Sequence, residues 1–125
     1  MLVYRINGGF VPSSSSDRVP VINPATGETI SSVPESSTEE VSQALEAARA
    51  AQPGWAKQPA VDRAQHLRHI ASLIRQEKDQ LAHVITEEQG KVLSLAEVEV
   101  DFTAGYFDYM AEWGRRIEGE ILESD

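Results

Sequence analysis

The stretch from about Val92 to Ile117 constrains this chain more than any other. Its helical spacing places Val98, Phe102, Tyr109 and Trp113 on one stripe, and Val100, Ala104, Phe107 and Met110 on a second. A helix that is apolar on two sides packs between neighbours rather than lying on a surface. The rest of the chain must cover both stripes or leave one open.

Upstream, three further helices are predicted. Ser37-Thr38-Glu39-Glu40 fits a capping box, with Ser37 at the N-cap and Glu40 reaching back. Val41, Leu45 and Ala48 follow at helical spacing, and Pro53-Gly54 is expected to end that helix, leaving Trp55 in the connection. Pro59 suits the first turn of the next helix, whose apolar face is Leu67, Ile70, Ala71 and Ile74. Leu81, Val84, Ile85 and Glu88 continue the spacing to Gly90 as a C-cap, and Gly119 is expected to stop the last helix.

Residues 1–35 read as short strands and turns. Val3, Tyr4 and Ile6 lead through Asn7-Gly8-Gly9 to Phe10 and Val11, a hairpin signal because Asn and Gly tolerate positive φ. Ser13 to Ser16 form a polar loop. Val19, Val21 and Ile22 make a strand that stops at Asn23-Pro24; Gly27 supports a turn, and Thr29, Ile30 and Val33 return. The fold class is therefore mainly α with short N-terminal β-strands or hairpins. A two-stranded hairpin is marginal alone. The sequence reads as part of something larger, and the isolated chain is expected to be marginally stable or molten and prone to associate.

Composition removes several function classes. Eleven basic against twenty acidic residues give a formal net charge of −9, which argues against nucleic acid and anionic membrane surfaces as partners. No apolar run approaches the roughly 18–20 residues that span a bilayer, and the N-terminus turns polar too early for a signal peptide. The absence of Cys removes thiol nucleophiles, disulfides and Cys-ligated metals, and is compatible with the cytoplasm.

No familiar catalytic arrangement is present. His66 and His69 share a helix face without a third metal ligand marked nearby, and read as solvated. Gly90-Lys91 lacks the upstream Gly of a phosphate loop, with Ile85 in its place, and neither Gly-x-Gly-x-x-Gly nor Gly-x-Ser-x-Gly occurs. The neighbours Glu87 and Glu88 point in different directions on a helix and cannot flank a substrate. Arg115-Arg116 complements a helix C-terminus.

An ordered set of short motifs nevertheless stands out. It comprises Ile6-Asn7-Gly8-Gly9-Phe10, Asn23-Pro24-Ala25-Thr26-Gly27-Glu28, Ala47-Ala48-Arg49-Ala50-Ala51 with Trp55, then Arg63, Leu67, Ile70, Ala71 and Ile74, and Glu87-Glu88-Gln89-Gly90-Lys91. Together these resemble the N-terminal portion of the NAD(P)-dependent aldehyde dehydrogenase superfamily. The segment Tyr109-Met110-Ala111-Glu112-Trp113-Gly114-Arg115-Arg116-Ile117-Glu118-Gly119-Glu120-Ile121 looks most like the lactaldehyde/glycolaldehyde dehydrogenase branch.

The resemblance implies a partial piece of a Rossmann-like α/β fold, residues 1–35 and 36–125 together forming an incomplete part of the cofactor-binding domain. Intact members oxidise an aldehyde to an acid through a Cys thiolate, hydride transfer to NAD(P) and a Glu-activated water, with an Asn and a backbone N–H at the oxyanion. They form homo-oligomers. This chain, having no Cys, is expected to be catalytically incompetent and to bind no cofactor alone, its partner being the remainder of an aldehyde dehydrogenase. The resemblance places Phe102 and Tyr106 at the aldehyde entrance. It places Val21, Ile22 and Glu88 at a structural monovalent-cation site built from backbone carbonyls and an acidic side chain. The alternative is a non-enzymatic truncated chain that associates with a full-length relative.

Overall fold

A computed structural model describes residues 4–116 and Gly119. Four short strands precede four helices. β1 (Tyr4–Ile6) pairs antiparallel with β2 (Gly9–Val11), Ile6 opposite Gly9. Asn7 (φ 51°) and Gly8 (φ 77°) fill the two-residue turn, the positive angles that an Asn-Gly hairpin requires. β3 (Arg18–Ile22) pairs with β4 (Thr29–Pro34), with a bulge between Val21 and Ile22. Each sheet has two strands, so every described strand is an edge.

α1 (Thr38–Ala56) starts at the expected capping box: Ser37 accepts from the Glu40 backbone N–H, and the Glu40 carboxylate accepts from that of Ser37. The expected stop at Pro53-Gly54 is not where the helix ends. Pro53 lies inside it, and Trp55 sits in its last turn rather than in the connection. A proline near a helix C-terminus loses one backbone bond, and the carbonyls beyond it are still used: the Lys57 N–H donates to Pro53 O at 3.3 Å.

α2 (Ala60–Gln76), α3 (Lys78–Gln89) and α4 (Leu93–Glu112) follow. Pro59 is the N-cap of α2, and Gly90 (φ 70°) closes α3 in the left-handed conformation. The regular part of α4 stops at Glu112, and a 3-10 turn carries Trp113–Arg115, so Gly119 is not the helix stop. At Gly114 the backbone comes so close to the start of α2 that a Cβ there would stand 3.0 Å from Ala60 O and from Ala64 Cβ. Ile117, like Val3 and the acidic end beyond Gly119, lies outside the described residues.

The core is a seam of small side chains. Ala64 and Ala71 of α2, Ala82 of α3, and Ala96, Val100, Ala104 and Ala111 of α4 are buried, while no large side chain among the described residues is fully buried. Alanines let α2, α3 and α4 approach closely, and Ile74, Ile85 and Leu93 close over the Ala82–Ala96–Val100 cluster. Arg75–Asp108 (2.7 Å) and Lys78–Asp101 (2.6 Å) tie α2 and α3 to α4 across the surface. These exposed pairs fix orientation more than they stabilise.

Of the two stripes on α4, one is mostly covered, with Met110 its exposed member, and the other is open. Val100 and Ala104 are buried and Phe107 is half-buried. Val98, Phe102, Tyr109 and Trp113 face outward, Phe102 with 74% of its surface exposed. The stripe on α1 is likewise open at Val41 and Leu45. No helix among the described residues is long and apolar enough to cross a membrane.

Candidate functional site

Phe102 and Tyr106 lie one turn apart on the open face of α4. Tyr106 continues an aromatic row: its ring centroid is 6.4 Å from that of Tyr109, which stands 6.4 Å from Trp113, edge to face. Phe102 takes part in none of the aromatic pairs among the described residues. The row is a wall without an opposite wall, suited to packing or to one side of an apolar channel.

Val21, Ile22 and Glu88 come from two distant parts of the chain. Val21 pairs with Ser31 and Ile22 with Thr29 across the bulge. A bulge disrupts the ladder locally and can turn main-chain groups away from it. Glu88 is exposed on the last turn of α3, two residues before Gly90. Gly90 meets Pro24, two residues after Ile22: a Cβ on Gly90 would be 2.9 Å from Pro24 Cγ. The fold therefore brings the end of α3 against the β3–β4 turn, a juxtaposition the separation of these residues in sequence does not reveal. Among the described residues no group of three or more His, Asp or Glu could hold a metal ion, so a cation here would depend on main-chain oxygens.

Two features went unread in the sequence. The first is the reach of Glu40. Beyond the capping box, its carboxylate accepts from the Ser14 backbone N–H at 2.7 Å and from the hydroxyls of Ser13 and Ser14. Only 8% of Glu40 is exposed. Chiefly the Ser37 N–H, and then that of Ser14, hold its carboxyl below the usual range against the opposing effect of burial. Tyr4 adds to the same junction by donating to Pro34 O at 2.8 Å. The second is Arg63, whose Nε is buried with no hydrogen-bond partner among the described residues. Glu40 and Arg63 both belong to motifs read in the sequence, but the Ser13–Ser14 contacts and the burial of the Arg63 Nε do not show there, because each depends on which loop or helix end the fold brings alongside.

None of the helix starts is preceded by a glycine-rich loop that could cradle a pyrophosphate. The 125 residues contain no Cys and so supply no thiolate.

This geometry, helices flanking short edge strands with open apolar faces, has close counterparts. The aldehyde dehydrogenase family model matches residues 10–125, and the chain belongs to that family. It is 48% identical over 120 residues to lactaldehyde dehydrogenase of Escherichia coli, an alignment that takes in 96% of this chain and 25% of that protein, its N-terminal segment. A crystal structure of the E. coli lactaldehyde dehydrogenase superposes with a TM-score of 0.96 at 47% identity, over 98% of this chain and 26% of that one. An NAD-dependent benzaldehyde dehydrogenase from Corynebacterium glutamicum gives 0.93 at 27% identity, over 98% and 27%. The chain thus spans about a quarter of the length of the relatives it matches and is a partial piece of their Rossmann-like fold.

Proposed function

We propose that these residues work as the N-terminal structural segment of an NAD(P)-dependent aldehyde dehydrogenase acting on a small hydroxyaldehyde such as lactaldehyde. The observation that carries this reading is the open stripe of α4. Apolar surface on this scale is covered in a working protein, and the relatives supply about three times as much further chain. Residues 1–35 and 36–125 together complete a cofactor-binding domain whose dinucleotide contacts lie elsewhere in the polypeptide. Phe102 and Tyr106 form one wall of the aldehyde entrance, and carbonyls near Val21 and Ile22 with the Glu88 carboxylate hold a monovalent cation. The setting is a cytoplasmic homo-oligomer.

A hybrid tests the reading. These 125 residues replace the matching quarter of E. coli lactaldehyde dehydrogenase, and NAD reduction by lactaldehyde is followed. The hybrid should turn over and the 125-residue chain alone should not. An inactive hybrid, or turnover by the short chain, contradicts the reading. The same open face would also serve a non-enzymatic chain that takes the place of this segment in a full-length relative. That case predicts a complex between the added chain and the intact enzyme.

A further inference from the structure

The β1–β2 hairpin has a shallow seat. It consists of two three-residue strands, and β1 packs on α1. Ile6 and Ala44 border two half-open spaces between hairpin and helix. One, of about 270 Å³, runs toward Val41 and Leu45, and the other, of about 320 Å³, toward Ala47 and Ala51. Side chains that face a void make no dispersion contacts across it. Phe10 of β2 is exposed, with the Arg5 guanidinium 5.4 Å over its ring. Apolar packing therefore holds this hairpin weakly.

Polar contacts fasten it at one end. One oxygen of the buried Glu40 carboxylate accepts from the Ser14 N–H (2.7 Å) and hydroxyl, the other from the Ser37 N–H (2.9 Å) and the Ser13 hydroxyl. The loop after β2 is thus joined to the start of α1 through both oxygens. A carboxylate accepts fully at both; protonation weakens one, and glutamine replaces it by a donor. The charged or titratable neighbours on the adjoining elements are Glu39 on α1, Glu35 at the end of β4, Asp17 on the loop, and Arg5 and Tyr4 on β1. The first four are exposed, and the Tyr4 hydroxyl is engaged by Pro34 O and Ser36. No ion pair among the described residues includes Glu40. At the far end of the loop, Asp17 O accepts from the Glu35 N–H at 2.9 Å, where the β3–β4 ladder begins. The chain before that point can leave without disturbing β3–β4.

We propose that residues 4–17 form a strap that opens as one unit while β3–β4 and the helices stay folded, with the Glu40 carboxylate as its catch and a proton as its release. Few buried apolar contacts and a small number of breakable bonds are the marks of a segment that opens locally. The catch holds above the ordinary carboxylate range and lets go as the pH falls through the lowered native value of Glu40.

Amide hydrogen exchange on the hybrid, read peptide by peptide, is the test. At neutral pH, Glu40→Gln should speed exchange across residues 4–17 about tenfold, through loss of a charge-assisted hydrogen bond, and leave α2, α3 and α4 unchanged. Ser37→Ala, which keeps the hold of Glu40 on the loop, should act on the first turn of α1 alone. In the unsubstituted hybrid, lowering the pH below the ordinary carboxylate value of 4.5 should raise exchange in residues 4–17, corrected for its intrinsic pH dependence, before that in α2–α4. Glu40→Gln should remove that early rise. Exchange in residues 4–17 that Glu40→Gln leaves unaltered overturns the strap. So do Glu40→Gln and Ser37→Ala acting alike on α1 alone, and acid that strips protection everywhere at one pH. Exchange is read whether or not the hybrid turns over: an inactive hybrid with these responses keeps the strap and overturns the proposed function. A hybrid without protected amides in α2–α4 overturns both.

Discussion

Gly90 rests on Pro24, so close that a Cβ at Gly90 would stand 2.9 Å from Pro24 Cγ. This contact joins the β3–β4 hairpin to the end of α3, and it forms at a residue already held at φ 70°. Gly90→Ala meets both penalties. The left-handed conformation alone costs a residue with a Cβ about 1–2 kcal/mol, so the hybrid should lose at least that much in urea unfolding.

The same junction bears on the cation. If carbonyls near Val21 and Ile22 and the Glu88 carboxylate hold a monovalent ion, replacing sodium and potassium by a bulky organic cation should lower the melting temperature of the hybrid. Glu88→Gln should reduce that dependence. An unchanged melting temperature in both buffers would remove the site.

Glu40 sets a pH dependence. Its carboxyl is held below its ordinary value of 4.5, chiefly by the Ser37 N–H. The stability this contributes is fully present above the ordinary carboxylate range. It is lost as the pH falls through the lowered native value. The midpoint in urea should therefore be flat in this respect from neutral pH downward and fall only below about 4.5. Glu40→Gln should flatten the acid limb. Ser37→Ala, which removes the other half of the box, should cost about 1 kcal/mol.

How much of this was legible in the sequence depends on the range of the interactions. The Asn7-Gly8 turn, the Ser37–Glu40 box and the Gly90 cap are local chemistry and appear where the residues place them. The end of α1 was misread because Pro53 is a breaker by propensity, yet near a helix terminus it forfeits only one bond. The end of α4 was misplaced because Gly114 answers to the close approach of Ala60, a tertiary contact. The two stripes on α4 were visible, but not which would be covered; the alanine seam of α2 and α3 decides that. The Ser13–Ser14 grip on Glu40 leaves no pattern, since the loop and the helix start that meet there are far apart in sequence.

The alanine seam makes a further expectation. Ala104 of α4 is fully buried, and α4 packs against both α2 and α3. Ala104→Leu forces those helices apart and should cost about 1–3 kcal/mol, read as a lower urea midpoint. Phe102→Ser, on the open face, should change the stability of the short chain by no more than about 0.5 kcal/mol. It should reduce association of that chain in sedimentation velocity. In the hybrid, Phe102→Ala should raise the KM for the aldehyde more than it lowers kcat.

The central claim is that the open stripe of α4 is covered by the rest of an aldehyde dehydrogenase. Hydroxyl-radical labelling of Tyr109 and Trp113, compared between the 125-residue chain and the hybrid, tests it most directly. Both side chains, about half exposed here, should label readily in the short chain and be strongly protected in the hybrid. Equal labelling in the two would mean that this face meets nothing in the complete enzyme, and would contradict the account.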